Sequence, residues 1–277
     1  MTAPIHTAHI NGLDIRYRLE GADDRPLVVL SHSLATSQEM WGFQLPLLAR
    51  HFRVLAYDMR GHGASGTPDE ARMDGAYTLE QLADDVAGLV AHLGYGRVHF
   101  VGLSIGGMIG QVLALRHPAL VERLVLSSTI TGATDAAGKK MWDDRIRQVE
   151  AQGVASQVDG TIARWLSPDF IDQAPQTTDW IRGLIRANPV AGYVGCGRAI
   201  AGMNIRAADL GKLRLPTLVI AGEKDPGATV ADAETIRSRI QGARLAVIAG
   251  GLHLANVEKP HDFNETLLSF LTGANEA

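Results

Sequence analysis

The sequence predicts an α/β fold: a mostly parallel sheet of eight strands, helices on both of its faces, and a block of helices inserted late in the chain. Three observations predict it. Short apolar runs without polar alternation recur along the 277 residues, the pattern of strands covered on both faces. Segments with helical spacing separate these runs, so strand and helix alternate, as in a parallel sheet joined by right-handed crossovers. The 85 residues 129–213 then contain no strand-like run, where a simple crossover needs only about a dozen.

In chain order, Ala8 and Ile10, then Leu13, Ile15, Tyr17 and Leu19 alternate about Asn11-Gly12, the residue pair that supplies the positive φ angles of a type I′ hairpin turn. Buried strands are expected at 27–30, 53–57, 98–103, 124–126, 218–221 and 245–248. Helices are expected at 78–93, opened by a Thr78-Leu-Glu-Gln81 capping box, at 105–116 and at 262–271. Within the insert, three groups have helical spacing: Trp142, Ile146 and Val149; Val154, Val158, Ile162 and Trp165; and Ile181, Leu184 and Ile185. The expected division is a core domain of residues 1–128 and 214–277 and a helical cap of residues 129–213, closed by a return helix near Asp209. Trp142, Trp165 and Trp180 are at positions that could line a pocket, although large aromatics at helical spacing more often belong to the core. Trp142 is the candidate pocket residue.

Composition narrows the function. With 26 Lys and Arg against 30 Asp and Glu, a net charge of −4 and 46% hydrophobic residues, the chain can bury a large core and does not suit a nucleic-acid partner. Its 30 glycines fit many tight turns. The lone Cys196 cannot make an intrachain disulfide, and residues 1–19 lack the apolar segment of a signal peptide, so a cytoplasmic protein is expected. No run approaches the roughly 18 apolar residues of a membrane span, and no internal period appears, so neither a membrane protein nor a solenoid is expected.

The chemistry is concentrated at three strand ends. Residues 98–103 lead into Gly102-Leu103-Ser104-Ile105-Gly106 and a helical pattern follows, the setting that the G-x-S-x-G nucleophile elbow requires. Ser104 is the candidate nucleophile, and the glycines flank it because a side chain there would meet the neighbouring strand or helix. A serine hydroxyl is weak unaided, so an acid and a base must follow in the order Ser, Asp or Glu, His. His117 ends the helix that starts at the elbow and His261 opens the last helix, which leaves His253, after the final strand, as the base. Asp225, in Ala221-Gly-Glu-Lys-Asp225, is the acid, with Glu223 as its rival. The backbone N–H groups of Ile105 and of Leu34, in Ser31-His32-Ser33-Leu34, are the expected oxyanion donors.

No HExxH or Cys/His ligand spacing occurs, so His32 is not read as a metal ligand and neither a metal nor a cofactor is expected. The segment Asp58-Met-Arg60-Gly-His62-Gly63-Ala-Ser65-Gly66 lacks the lysine of a phosphate-binding loop. It reads as a structural turn held by hydrogen bonds from the Asp58 and Arg60 side chains.

Taken together, the chain resembles the α/β-hydrolase superfamily and, within it, the 3-oxoadipate enol-lactonases of aromatic catabolism. The likeness is carried by Leu30-Ser-His-Ser-Leu34 with Trp41, by the stretch from His51 to Ser65, by Gly102-Leu-Ser-Ile-Gly-Gly107 and by Leu218-Val-Ile-Ala-Gly222 with Asp225. More specific to the lactonases are Trp142 with Arg145-Ile146, Arg164-Trp165 with Pro168-Asp-Phe170, Gly192-Tyr193, and Asn256-Val-Glu258. The resemblance implies a serine hydrolase that opens a small lactone or ester through an acyl-enzyme, with 3-oxoadipate enol-lactone as the first substrate. The alternatives are a general carboxylesterase, a carbon–carbon bond hydrolase of the same fold, and a non-catalytic ligand-binding protein.

The chain departs from the family in His32, Ile105, Ser128 to Gly132, Gly202 and Asn204, where the lactonases often have Asn, Met, an Asn-Thr-Ala-Ala-Arg stretch and an acidic pair. These positions fall near the expected pocket and so bear on the substrate. An enol-lactone of this kind carries a carboxylate. Arg145, Arg164, Arg198 and Arg206 all lie in the insert, but helical arginines are mostly solvated or paired, and none is assigned to the site.

Overall fold

The computed structural model describes residues 4–68 and 77–274. Among them, the strands in chain order are β1 (His6–Ile10), β2 (Leu13–Glu20), β3 (Leu27–Ser31), β4 (Arg53–Tyr57), β5 (Val98–Leu103), β6 (Val121–Ser127), β7 (Gly132–Ala133), β8 (Asn204–Ile205), β9 (Thr217–Gly222) and β10 (Arg244–Ile248). Eight of these form one sheet in the order β1-β2-β4-β3-β5-β6-β9-β10. The β1–β2 and β2–β4 pairs are antiparallel and every other neighbour is parallel. Every residue of β3, β5 and β9 is buried, because helices cover both faces of a parallel sheet.

Local chemistry fixes the connections. Asn11 and Gly12 have φ of 47° and 81°, the two positive angles that let the β1–β2 turn match the strand twist. Thr78 and Gln81 exchange the two bonds of a capping box at the start of the helix Leu79–His92. The helix Ile105–Arg116 leaves the end of β5 and is buried on most sides, by Met108, Ile109, Val112 and Leu113 among others. The last helix, Pro260–Thr272, starts two residues before the sequence pattern, with proline in the first turn, where its missing N–H costs nothing.

Between β7 and β8 the chain forms the helices Ala136–Gln152, Val158–Trp165, Pro168–Gln173, Pro175–Arg186 and Val190–Ala201. Ile146, Val149, Ile162, Ile181 and Ile185 turn inward. The sequence reading finds no strand here, yet β7 and β8 pair antiparallel; two residues are too few to leave a period. β6 also begins earlier than the apolar run, because the less buried Glu122 and Arg123 interrupt it.

One expectation needs correcting. Asp58 does hold its own turn, accepting the N–H of Ala64 at 3.0 Å, and its other carboxylate oxygen accepts the N–H of Gln38, 20 residues earlier, at 2.8 Å. Arg60 does not. Its guanidinium forms a two-pronged pair with Asp85 of the helix Leu79–His92, at 2.6 and 2.7 Å, with both side chains buried. A pairing 25 residues away leaves no local sequence signal.

Candidate active site

Ser104 sits between β5 and its helix with φ 60° and ψ −118°, a conformation that a non-glycine residue holds only where its surroundings impose it. Its N–H donates to Ser127 O at 2.9 Å, and its carbonyl accepts the Thr129 hydroxyl at 2.7 Å. The flanking glycines are sterically required. A Cβ at Gly102 would lie 2.1 Å from Gly106 O, and one at Gly106 would lie 2.3 Å from Ser31 O.

Asp225 follows β9 and His253 follows β10. His253 Nδ1 lies 2.7 Å from Asp225 Oδ2, and the other carboxylate oxygen accepts the N–H groups of Gly227 and Ala228 at 2.8 and 3.1 Å. Burial alone would raise the Asp225 pKa; the His253 bond and charge, with the two backbone donors, outweigh it and hold the pKa below the ordinary carboxylate value. Glu223 instead accepts the N–H of Gly250 at 2.7 Å, at the surface. The Trp165 ring stacks on the His253 imidazole, with centroids 5.7 Å apart and planes 22° apart.

The loop after β3 is held by two buried histidines. Met59 N–H donates to His32 Nε2 at 3.0 Å, and Ala35 N–H donates to His62 Nε2 at 3.2 Å. Both imidazoles must be neutral to accept there. Burial lowers His32 to about 4, against a bond to Ser33 O that favours its charged form. Burial, then the nearby His32, lowers His62 to about 3. Leu34 is thereby fixed beside the elbow, and neither its N–H nor that of Ile105 has a protein acceptor among the described residues.

A cavity of about 410 Å³ collects these groups: Ser104, His253, Asp225 and Leu34 line it, together with Trp142, Trp165 and Tyr193 from the inserted helices. Ile105, the first residue of the helix after Ser104, is fully buried and is not itself among the residues that line the cavity. Trp180 lies elsewhere, edge-on to Phe43.

Two arginines unassigned by the sequence, Arg145 and Arg164, also line the cavity. Arg145 lies over the Trp142 ring at 5.2 Å and Arg164 donates to the Thr161 hydroxyl at 3.1 Å; neither has a carboxylate partner among the described residues. Burial, then the neighbouring Arg145, lowers the Arg164 pKa. Arg198 pairs with Glu150 and Arg206 with Asp209, away from Ser104. The available signal was position: Arg145 lies three residues after Trp142, and Arg164 three after Thr161, on the margins of inward-facing stripes. Among the described residues, no cluster of potential metal ligands occurs and no helix is long and apolar enough to cross a membrane.

Comparison with known proteins agrees with this architecture. The α/β hydrolase fold family matches residues 26–260. The 3-oxoadipate enol-lactonase 2 of Acinetobacter baylyi is 33% identical over 253 residues, 91% of each chain. The enol-lactonase structure from Burkholderia xenovorans is 34% identical with a TM-score of 0.91, covering 96% of this chain and 100% of that one. A hydrolase structure from Pseudomonas aeruginosa is 38% identical with a TM-score of 0.90, covering 98% and 99%. With an eight-stranded sheet of this order and a family match spanning most of its length, the chain belongs to the α/β-hydrolase family.

Proposed function

We propose that the chain is a serine hydrolase that opens a small, carboxylate-bearing lactone or ester, with 3-oxoadipate enol-lactone as its substrate. The observation that carries this reading is a single cavity holding Ser104, the His253–Asp225 pair and two arginines without acidic partners. Ser104 Oγ attacks the carbonyl while His253 takes its proton; Asp225 holds the imidazole in the tautomer whose Nε2 can accept. The Leu34 and Ile105 N–H groups receive the oxyanion. His253 returns the proton to the leaving oxygen, which in a lactone stays tethered to the acyl group, and water then releases the product. Residues 129–213 act as a cap domain that shapes the pocket through Trp142, Trp165 and Tyr193, and Arg145 and Arg164 receive the substrate carboxylate.

The relatives named as enol-lactonases support this substrate. The test compares a free-acid lactone with its methyl ester and with aryl acetates. An ion-paired carboxylate contributes about 1.5–3 kcal/mol, so the acid should lead by about 10- to 150-fold in kcat/KM. Arg145→Ala and Arg164→Ala should erode that lead. A preference for neutral esters would sink the enol-lactone reading and favour a general carboxylesterase.

A further inference from the structure

The motif Asn256-Val-Glu258 takes no part in the reaction above, yet it holds the residues around His253. Its four-residue helix, Ala255–Glu258, is buried throughout. Asn256 anchors it to the core: the side chain donates to Met40 O at 3.3 Å, and Gln44 Nε2 donates to Asn256 O at 3.0 Å. Glu258 reaches the opposite way. It is 5% exposed; Oε2 accepts the N–H of Leu252 at 2.9 Å, and Oε1 accepts the N–H of Ser167 at 3.1 Å. One carboxylate therefore bridges the residue before His253 and the segment that follows Trp165. The residue after His253 is tied to the same segment, because Leu254 N–H donates to Trp165 O at 3.2 Å. The Trp165 ring stacked on the imidazole completes the enclosure.

We propose that Glu258 is a positioning residue that sets the His253 imidazole against Ser104 by binding the His253 loop and the inserted helices through a single carboxylate. The proposal rests on the serine-hydrolase reading. A carboxylate suits the place because it only accepts, and two N–H groups converge on it. A glutamine of the same shape satisfies one of them and turns its own NH2 toward the other. The loop then shifts, and a base displaced by about 1 Å costs on the order of 100-fold in rate.

The test uses the full chain with 4-nitrophenyl acetate. Glu258→Gln should lower kcat by about 10- to 100-fold while KM changes little, since Glu258 itself is not among the residues that line the cavity. The low-field proton resonance of the His253 Nδ1–H, which reports its bond to Asp225, should shift. Ser167→Pro is the second variant, and serves if the first fails to fold. Ser167 has φ −68°, Leu166 before it has φ −130° and ψ 140°, and both suit proline, so the change removes the Ser167 N–H without backbone strain. It also removes the Ser167 cap on the Phe170 N–H, which lies away from the imidazole. It too should lower kcat and move the resonance. Native kcat and an unmoved resonance in the folded variants would overturn the proposal, as would a kcat loss matched by a loss of folded protein with the resonance unmoved. Ser104→Ala separates the two levels. If it retains turnover, the serine-hydrolase reading fails; if it is inactive while Glu258→Gln and Ser167→Pro behave as wild type, the Glu258 assignment alone fails.

Discussion

Acidification should unfold this protein chiefly through His32 and His62. Both are fully buried beside each other, with ring centroids 5.4 Å apart, and both must be neutral to accept a backbone N–H. Their folded pKa values, about 4 and about 3, lie below the ordinary 6.5. The unfolded chain therefore takes up protons first. Stability is complete above pH 6.5 and is lost as pH falls through that window toward the folded values. At roughly 1.4 kcal/mol per pH unit, charging His62 costs the fold about 5 kcal/mol and charging His32 about 3 kcal/mol. The two figures overlap, since His32 is itself a cause of the His62 depression. Even the larger one alone rivals the total stability of an ordinary domain, about 5–15 kcal/mol. The assay is urea unfolding between about pH 4.5 and 7 for the wild type and His62→Gln, whose amide oxygen can still accept the Ala35 N–H without titrating. Below about pH 6 the wild-type stability should fall more steeply toward acid, by up to about 1.4 kcal/mol per pH unit, because one fewer proton is bound on unfolding the variant. Equal slopes would refute the assignment of the acid lability to His62.

Three further outcomes are expected. Gly106→Ala places a Cβ 2.3 Å from Ser31 O and 2.9 Å from His32 O; since both obstacles are backbone, a loss of about 3 kcal/mol or more should appear in the urea midpoint. Asp85→Asn leaves the buried Arg60 without its carboxylate and should cost about 3–5 kcal/mol in the same assay. Asp225→Asn keeps the shape but no longer enforces the His253 tautomer, so kcat should fall by about 10⁴-fold in a protein that still folds.

Much of this architecture was legible because local patterns determine it. Asn11-Gly12 announces the hairpin by its need for positive φ, Thr78 and Gln81 announce a helix start, and unbroken apolar runs mark strands such as β3 and β9. The glycines about Ser104 were legible for the same reason, since the turn leaves no room for a Cβ at Gly102 or Gly106. Contacts between distant segments were not. Helical spacing tells which face Arg145 and Arg164 occupy but not that this face opens onto Ser104. Arg60 was expected to stabilise its own turn, and only the tertiary fold brings Asp85 to it. Glu258 was legible as a motif, while its partners Leu252 and Ser167 are settled by two chain segments meeting in space.

The most direct test of the central claim is intact-mass and peptide analysis after treatment with an alkyl fluorophosphonate, which reacts with activated serine hydroxyls, alongside turnover of the Ser104→Ala variant. The account predicts one adduct, carried by Ser104 and nearly abolished by His253→Ala, and a loss of about 10⁴- to 10⁶-fold in kcat for Ser104→Ala. An adduct on another residue, or near wild-type turnover without the Ser104 hydroxyl, would contradict it.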